Sequence, residues 1–378
     1  EHEGEFDRIY REFTGRDEDF EDVEYGRKKL IIKVQLSSEL TVLADLLRRL
    51  AERDLHTRDY TLNGLREALA EVVACFPVYR TYITPGSVSD SDRKYVDWAV
   101  AQAKKRSPAA DISIFDFIRN TLLGAGNPAG RGRTYHEAVR FAMKFQQYTA
   151  PVMAKAVEDT VFYNFNRLVS LNEVGGDPRR FGISVAAFHR SNQLRLQHWP
   201  DTMLATSTHD TKRSGDVRAR IHVLSEIPER WREQVFRWRQ FNRSHRRLVQ
   251  DRDAPDPNDE YLLYQTLVGM WPAGSTVEGK EHEALRARIE QYMIKAVKEA
   301  KANTSWINPN PEYEEALTAF VRSVLQPGEE NLFLTDFLAF HQEIVSCGLL
   351  NILAQTLLKL TVPGIPDIFQ GDEAWSFS

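Results

Sequence analysis

The sequence predicts an α/β chain that is mostly helical and reads as part of a (β/α)-barrel with large helical insertions. Three observations carry this reading. Short β-branched or aromatic runs at 76–83, 203–208 and 361–371 are bounded by turn residues, as strands are. Most of the remaining chain repeats apolar residues at helical spacing. The run 216–348 is almost wholly helical in pattern, which places a large insertion between the last two strands. Three strands cannot close a barrel. The chain therefore either hides further strands or is a piece of one.

The opening to about Val23 is acidic and weakly periodic. Leu40, Leu43, Leu47 and Leu50 then mark an amphipathic helix, and TLNGLREALAEVVA from Thr61 to Ala74 a second. FPVYRTYI, residues 76–83, reads as a short strand closed by Thr84-Pro85-Gly86. Helical patterns resume over 92–105 and 114–123. GAGNPAGRGR, 124–133, is a loop by composition; its glycines follow a helix rather than a strand, so it is no dinucleotide fingerprint.

Residues 137–171 predict one long helix or two consecutive ones, with Met153, Val157, Val161, Asn164 and Leu168 on one face, until NEVGGDP stops the run. Another helix is expected over 185–196. MLATST, 203–208, follows Pro200 and suits a buried strand, with His209-Asp210 just past its C-terminal end. After the insertion, with loops at 253–259, 272–279 and 308–311, LLNILAQTLLKL is a helix and TVPGIPDIFQG the last strand. The expected segments are 1–75 helical, 76–215 barrel with helical elaboration, 216–348 an inserted helical subdomain, and 349–378 the last helix and strand.

Composition narrows the function classes. The 378 residues carry 49 basic and 54 acidic side chains, a net charge of −5, which argues against a general nucleic-acid binder. Apolar residues at 42%, with 20 Phe, 13 Tyr and 7 Trp, can fill a core and argue against disorder. Two distant cysteines, Cys75 and Cys347, imply no disulfide framework and a reducing cytoplasm. The acidic start predicts no signal peptide, and Gln355, Lys359 and Pro363 make 344–368 too polar to span a bilayer. A cytoplasmic protein without membrane or nucleic-acid partners is expected.

No metal or cofactor is expected. The ten histidines include no HExxH or HxH, and neither CxxC, GxxxxGK[ST] nor GxSxG occurs. RWREQVFRWRQFNRSHRRL, 230–248, carries seven arginines against one glutamate; Trp231, Val235 and Trp238 repeat as a core stripe, leaving the arginines on a solvated face. Glu158 and Asp159 read as a helix-face pair. Asn172 and Glu173, Trp306 and Tyr313 could line or stack on sugar, or simply pack and cap.

The strongest chemical signal is ATSTHDTKRSGDVRARI, 205–221. Barrel enzymes keep catalytic groups at the C-terminal ends of their strands. There the Asp210 carboxylate can stabilise positive charge, and the His209 imidazole can hydrogen-bond a sugar hydroxyl. Lys212 and Arg213 would hold that carboxylate ionised. The residues equally allow Asp210 to cap a helix starting near Ser214, with His209 a loop residue.

THDTKRS followed by DVRARIHVLSEIPERW resembles the fourth conserved region of the maltooligosyltrehalose synthases, a branch of the alpha-amylase superfamily. CFPVYRTYI, PVMAKAVEDTVFYNFNRLVSLNEVGGDP, FHRSNQLRLQHWPDTMLATSTHDTKRS, NTSWINPNPEYEEAL and LLKLTVPGIPDIFQGDE resemble the same family, in order, from about residue 75 onward. The resemblance implies that this chain is the C-terminal part of a (β/α)8 barrel. It implies an intramolecular transglucosylase that turns the reducing-end α-1,4 bond of a maltooligosaccharide into α,α-1,1. Such a retaining enzyme needs an aspartate nucleophile and a glutamate acid/base about 5–5.5 Å apart, and a second aspartate to stabilise the transition state. On this resemblance Asp210 is the stabilising aspartate and His209 its sugar-contacting neighbour. Lys212, Arg213 and Gln370, the last at a strand end, are the other expected substrate contacts. The family's R-x-D-H and E-K-I-L motifs, which carry the nucleophile and the acid/base, do not occur. The chain then reads as the middle-to-late part of the enzyme, inactive by itself. Another alpha-amylase-superfamily hydrolase or transglycosylase, or a non-catalytic helical sugar-binding module, is the alternative.

Overall fold

The computed structural model describes residues 2–108, 111–127, 129–274 and 279–377. Position 128 of the expected 124–133 loop and positions 275–278 of the expected 272–279 loop lie outside the described residues. Two compact units form: Glu21–Val161, and a second that joins Glu1–Phe20 to Phe162–Ser378. This division does not follow the expected boundaries at 75, 215 and 348. The opening helix α1, Glu3–Thr14, belongs with the late chain: the Tyr10 hydroxyl donates to Asn258 Oδ1 at 2.8 Å, and the Phe13 ring lies 5.2 Å from Tyr261.

The contiguous unit is a helical bundle. Its helices are α2 (Phe20–Val34), α3 (Ser37–Ala51), α4 (Leu62–Ala74), α5 (Asp90–Arg106), α6 (Ile112–Gly124) and α7 (Gly132–Met153). Side chains cap the starts of α4, α5 and α6. Thr61 caps α4 by accepting from Gly64 N, and Ser89 with Asp92 forms a reciprocal capping box on α5. The leucine stripe of α3 is buried against Phe141 and Phe145 of α7 and the aliphatic face of α4.

Residues 76–83 are not a strand. The segment is irregular, with a bend at Val78 and Tyr79, and no strand lies beside it among the described residues, so side chains take its backbone groups. Buried Gln146 accepts from Ile83 N at 2.7 Å and donates to Ile83 O at 3.0 Å. Lys28 Nζ donates to Phe76 O, and Asp92 accepts from Tyr82 N. The helical run expected over 137–171 also ends early. Past Met153 comes a π-turn, Ala154–Glu158, where buried Glu158 takes the Tyr79 hydroxyl and Asp159 pairs with Lys155. Buried asparagines then offer the main chain an alternative to the helical ladder: Asn172 Nδ2 donates to Phe162 O and Phe165 O at 3.1 and 2.8 Å.

The second unit is built on aromatic rings. It comprises α1, α8 (Val185–His198), β1 (Met203–Leu204), α9 (Gly215–His222), α10 (Pro228–Phe241), β2 (Arg247–Val249) and β3 (Arg252–Ala254). It continues with α11 (Pro257–Met270), α12 (Lys280–Ala300), α13 (Pro311–Val324), α14 (Leu332–Thr361) and β4 (Ile365–Pro366). Helix α11 is buried all round from Asn258 to Met270, so it forms the centre. Trp231 and Trp238 of α10 are fully buried, as their spacing predicts, against Tyr261, Tyr264, Phe337 and Phe340. Arg230, Arg232 and Arg237 of α10 face outward into ion pairs, with Glu343 at 3.2 Å, Glu12 at 2.6 Å and Asp336 at 2.9 Å, while Arg239 donates to Phe13 O at 2.7 Å.

The hairpin β2–β3 interrupts the expected helical insertion. Val249 pairs with Arg252, so the loop is only Gln250 and Asp251, both at positive φ. Strands β1 and β4 are parallel neighbours, with Met203 opposite Ile365 and Leu204 opposite Pro366. Gly364 permits this approach: its φ is +133°, and a Cβ there would meet Leu204 at 2.7 Å and Thr202 O at 2.9 Å. The expectation of a buried strand at 203–208 does not hold. Only two residues pair, and Met203 is 68% exposed, because no third strand covers the pair among the described residues.

Helix α14 begins at Leu332, earlier than the 344–368 stretch, and by length and composition it is long and apolar enough to cross a membrane; the break expected at Pro363 holds, since the helix ends at Thr361. Its first half, with Phe333, Phe337 and Phe340, packs into the aromatic cluster. Its second half exposes Leu350, Leu353, Leu357 and Leu360.

Candidate active site

The C-terminal ends of β1 and β4 meet at one edge, since the strands are parallel. Chain 206–214 leaves β1 there, and 367–371 leaves β4. Lys359, at the end of α14, joins the two ends: its Nζ donates to Thr206 Oγ1 and to Asp367 O, both at 3.1 Å. Arg218 of α9 reaches back to Thr206 O. Ser207 Oγ accepts from Gly215 N at 3.0 Å, closing the loop onto the start of α9.

Within the loop, Thr208 and Thr211 build a tight turn. Thr208 Oγ1 accepts from Asp210 N at 3.2 Å, and the Thr211 hydroxyl donates to Thr208 O at 2.9 Å. His209 and Asp210 stand at the tip of that turn, exposed. The helix-cap reading of Asp210 fails, because Ser214 is the cap of α9 and its Oγ accepts from Val217 N. Among the described residues no hydrogen bond to the Asp210 carboxylate or the His209 ring is present, so both side chains are available to a ligand.

Arg213 is placed differently from the expectation that it holds Asp210 ionised. The Arg213 guanidinium is buried and turned inward, donating to Val169 O at 3.2 Å and the Tyr292 hydroxyl at 2.6 Å. The main-chain N–H groups of Lys212 and Arg213 both point at the carboxylate of Glu173. Gln370 is exposed, four residues beyond the end of β4.

The remaining candidates separate cleanly. Tyr313 is buried, its hydroxyl bonded to Asp259 and to Asp256 N, so it is core rather than a sugar platform. Asn172 is likewise spent on main-chain carbonyls. Trp306 stays 56% exposed, with its Nε1 on Glu299 and the Lys298 ammonium 4.9 Å from its ring centre. Among the described residues, no group of three or more His, Cys, Asp or Glu is placed to hold a metal ion.

Helix α9 is seated by Arg220, which is fully buried. Its Nη1 donates to Gly269 O and Trp271 O, and the guanidinium lies 3.7 Å from the Phe377 ring centre. Burial lowers Arg220 to about 10 and His222 to about 4, so the imidazole is neutral at ordinary pH. Asp216 accepts from Ser376 N at 2.8 Å, and burial raises its carboxyl above the usual range.

No family model matches the chain. A curated protein of Mycobacterium tuberculosis, named a maltooligosyl trehalose synthase, is 43% identical over 239 residues, 63% of this chain. The solved maltooligosyltrehalose synthase of Arthrobacter ramosus aligns with all of this chain at 34% identity and a TM-score of 0.80. A structure from Sulfolobus tokodaii, described as a hypothetical maltooligosyl trehalose synthase, aligns with 98% of the chain at 31% identity and a TM-score of 0.74. The chain is homologous to part of the maltooligosyltrehalose synthases. It spans 29% of the curated relative's length and 43% of both solved chains.

Sequence reading missed the anchors of the loop. Glu173, Arg218 and Lys359 lie 37, 8 and 149 residues from Asp210 in the chain, and no spacing rule connects them. THDTKRS marked the loop; only the fold shows what holds it.

Proposed function

We propose that this chain supplies one wall of the active site of a maltooligosyltrehalose synthase, with β1 and β4 as two neighbouring strands of a (β/α)8 barrel. The full enzyme would convert the reducing-end α-1,4 bond of a maltooligosaccharide into α,α-1,1 by intramolecular transfer. Its nucleophile and acid/base would be supplied outside this segment, which has no R-x-D-H or E-K-I-L motif. The observation that carries the reading is the exposed Asp210 carboxylate beside His209, on a loop fixed at the C-terminal edge of a parallel strand pair. That edge is where barrels do chemistry.

In the proposed mechanism, the sugar at the cleaved bond gains oxocarbenium character, with positive charge absent from the ground state. Asp210, with no bond to its carboxylate among the described residues, lies free to meet that charge and lower the barrier selectively. His209 would donate to a hydroxyl of the same sugar. Gln370, across the strand pair, would take a neighbouring hydroxyl, and Lys212 would reach the glucan from the loop. Arg213 would act indirectly, by seating the loop. The apolar faces left open on β1, β4, α8 and the second half of α14 support burial against the rest of a barrel rather than in a membrane. A cytoplasmic location and no nucleic-acid partner complete the reading.

The test is product analysis of maltopentaose incubated with the full-length protein. Reducing ends should disappear while the glucose count per molecule stays constant. New reducing ends would indicate hydrolysis instead, and no change a non-catalytic sugar-binding module.

A further inference from the structure

Glu173 is 9% exposed and sits in the turn between 171 and 176, far from the His209-Asp210 loop in sequence. Its carboxylate nevertheless meets that loop. It accepts from Lys212 N at 2.9 and 3.1 Å, from Arg213 N at 3.4 Å and from Val174 N at 2.8 Å. Arg218 Nε lies 3.6 Å from the same carboxylate, and the Arg218 guanidinium also donates to Thr206 O. The loop is thus held on both sides of Asp210: at 206 by Arg218 and Lys359, and at 212–213 by Glu173.

A carboxylate that stabilises a transition state must be held in place relative to the charge that develops. Holding the main chain on either side does this while leaving all of its acceptor sites open to the sugar. We propose that Glu173 is a positioning residue that fixes Asp210 through the backbone of residues 212 and 213. The inference rests on the reading of Asp210 given above.

The choice of glutamate follows from the donors. Converging N–H groups and a guanidinium require an anion with two acceptor oxygens. Glutamine offers one oxygen and an NH2 group, which would face donors, and it leaves Arg218 without its counter-charge. The loop end at 212 would be released while the core stays intact.

The experiment is a double-mutant cycle in the full-length protein, with kcat and KM on maltopentaose for wild type, Glu173→Gln, Asp210→Asn and the double variant. Glu173→Gln should lower kcat at least about 10-fold with KM changed less than about 2-fold. If it acts through Asp210, the double variant should match Asp210→Asn within about 2-fold. A wild-type kcat for Glu173→Gln, or a double variant slowed by the product of the single effects, overturns the inference. An Asp210→Asn enzyme as fast as wild type overturns both the role of Asp210 and the inference built on it. Melting curves establish folding. Should Glu173→Gln fail to fold, Arg218→Gln, which removes the cation shared by Glu173 and Thr206, enters the same cycle with the same expected non-additivity.

Discussion

At the scale of single residues, charge and reach separate the two acids that matter most. Asp210 is exposed and Asp259 is sealed in the core. Replacing Asp210 with Asn in the full enzyme keeps the shape and removes the charge. If the electrostatic contribution is about 3–4 kcal/mol, kcat should fall about 10²–10³-fold with little change in KM or melting temperature. A helix cap would tolerate asparagine, but that role belongs to Ser214. Burial first, and then repulsion from Asp256, pushes the Asp259 carboxyl up to about 8. Arg16 and Asn303 bond Asp256, while Tyr313 bonds Asp259 directly. An acid raised in the folded state favours folding fully below its ordinary range near 4, and that contribution is lost as pH rises to about 8. Denaturant midpoints should therefore fall between pH 5 and 8, and Asp259→Asn should flatten that slope.

At the scale of elements, backbone groups without a ladder depend on single side chains. Gln146 takes both the N–H and the carbonyl of Ile83, so Gln146→Leu leaves two buried groups unmet. The cost should be about 1–3 kcal/mol for each group left unmet, read by urea denaturation of the Glu21–Val161 unit. Gly364 holds β4 against β1 at a φ that side chains rarely adopt, with no space for a Cβ. Gly364→Ala should cost about 1–3 kcal/mol in backbone strain alone. It should also lower activity, because pushing β4 away from Leu204 and Thr202 disturbs the Lys359 bridge to Thr206. A drop in melting temperature with unchanged kcat would show that the strand pair does not position the loop.

At the scale of the whole molecule, the unit Glu21–Val161 has a continuous core of its own and should unfold cooperatively when expressed alone. The other unit leaves α8 without a buried residue and exposes leucines on α14. The chain by itself should therefore bind a hydrophobic dye strongly, and the full-length protein far less, if the rest of a barrel covers those faces.

Much of this was determined by the sequence alone. Periodicity located α3, α4, α5 and α6 to within a few residues, since a buried apolar stripe needs side chains at i, i+3 and i+7. Trp231, Val235 and Trp238 announced the core face of α10, and THDTKRS marked the loop that carries His209 and Asp210. Tertiary structure decided the rest. Whether an apolar run such as 76–83 becomes a strand depends on a neighbour to bond, and Gln146 took that place. The hairpin loop at Gln250 and Asp251 carries none of the usual glycine signal. Glu173 shows the limit most directly. Its chemistry is that of any glutamate, and only folding gathers main-chain donors from 39 and 40 residues away around one carboxylate.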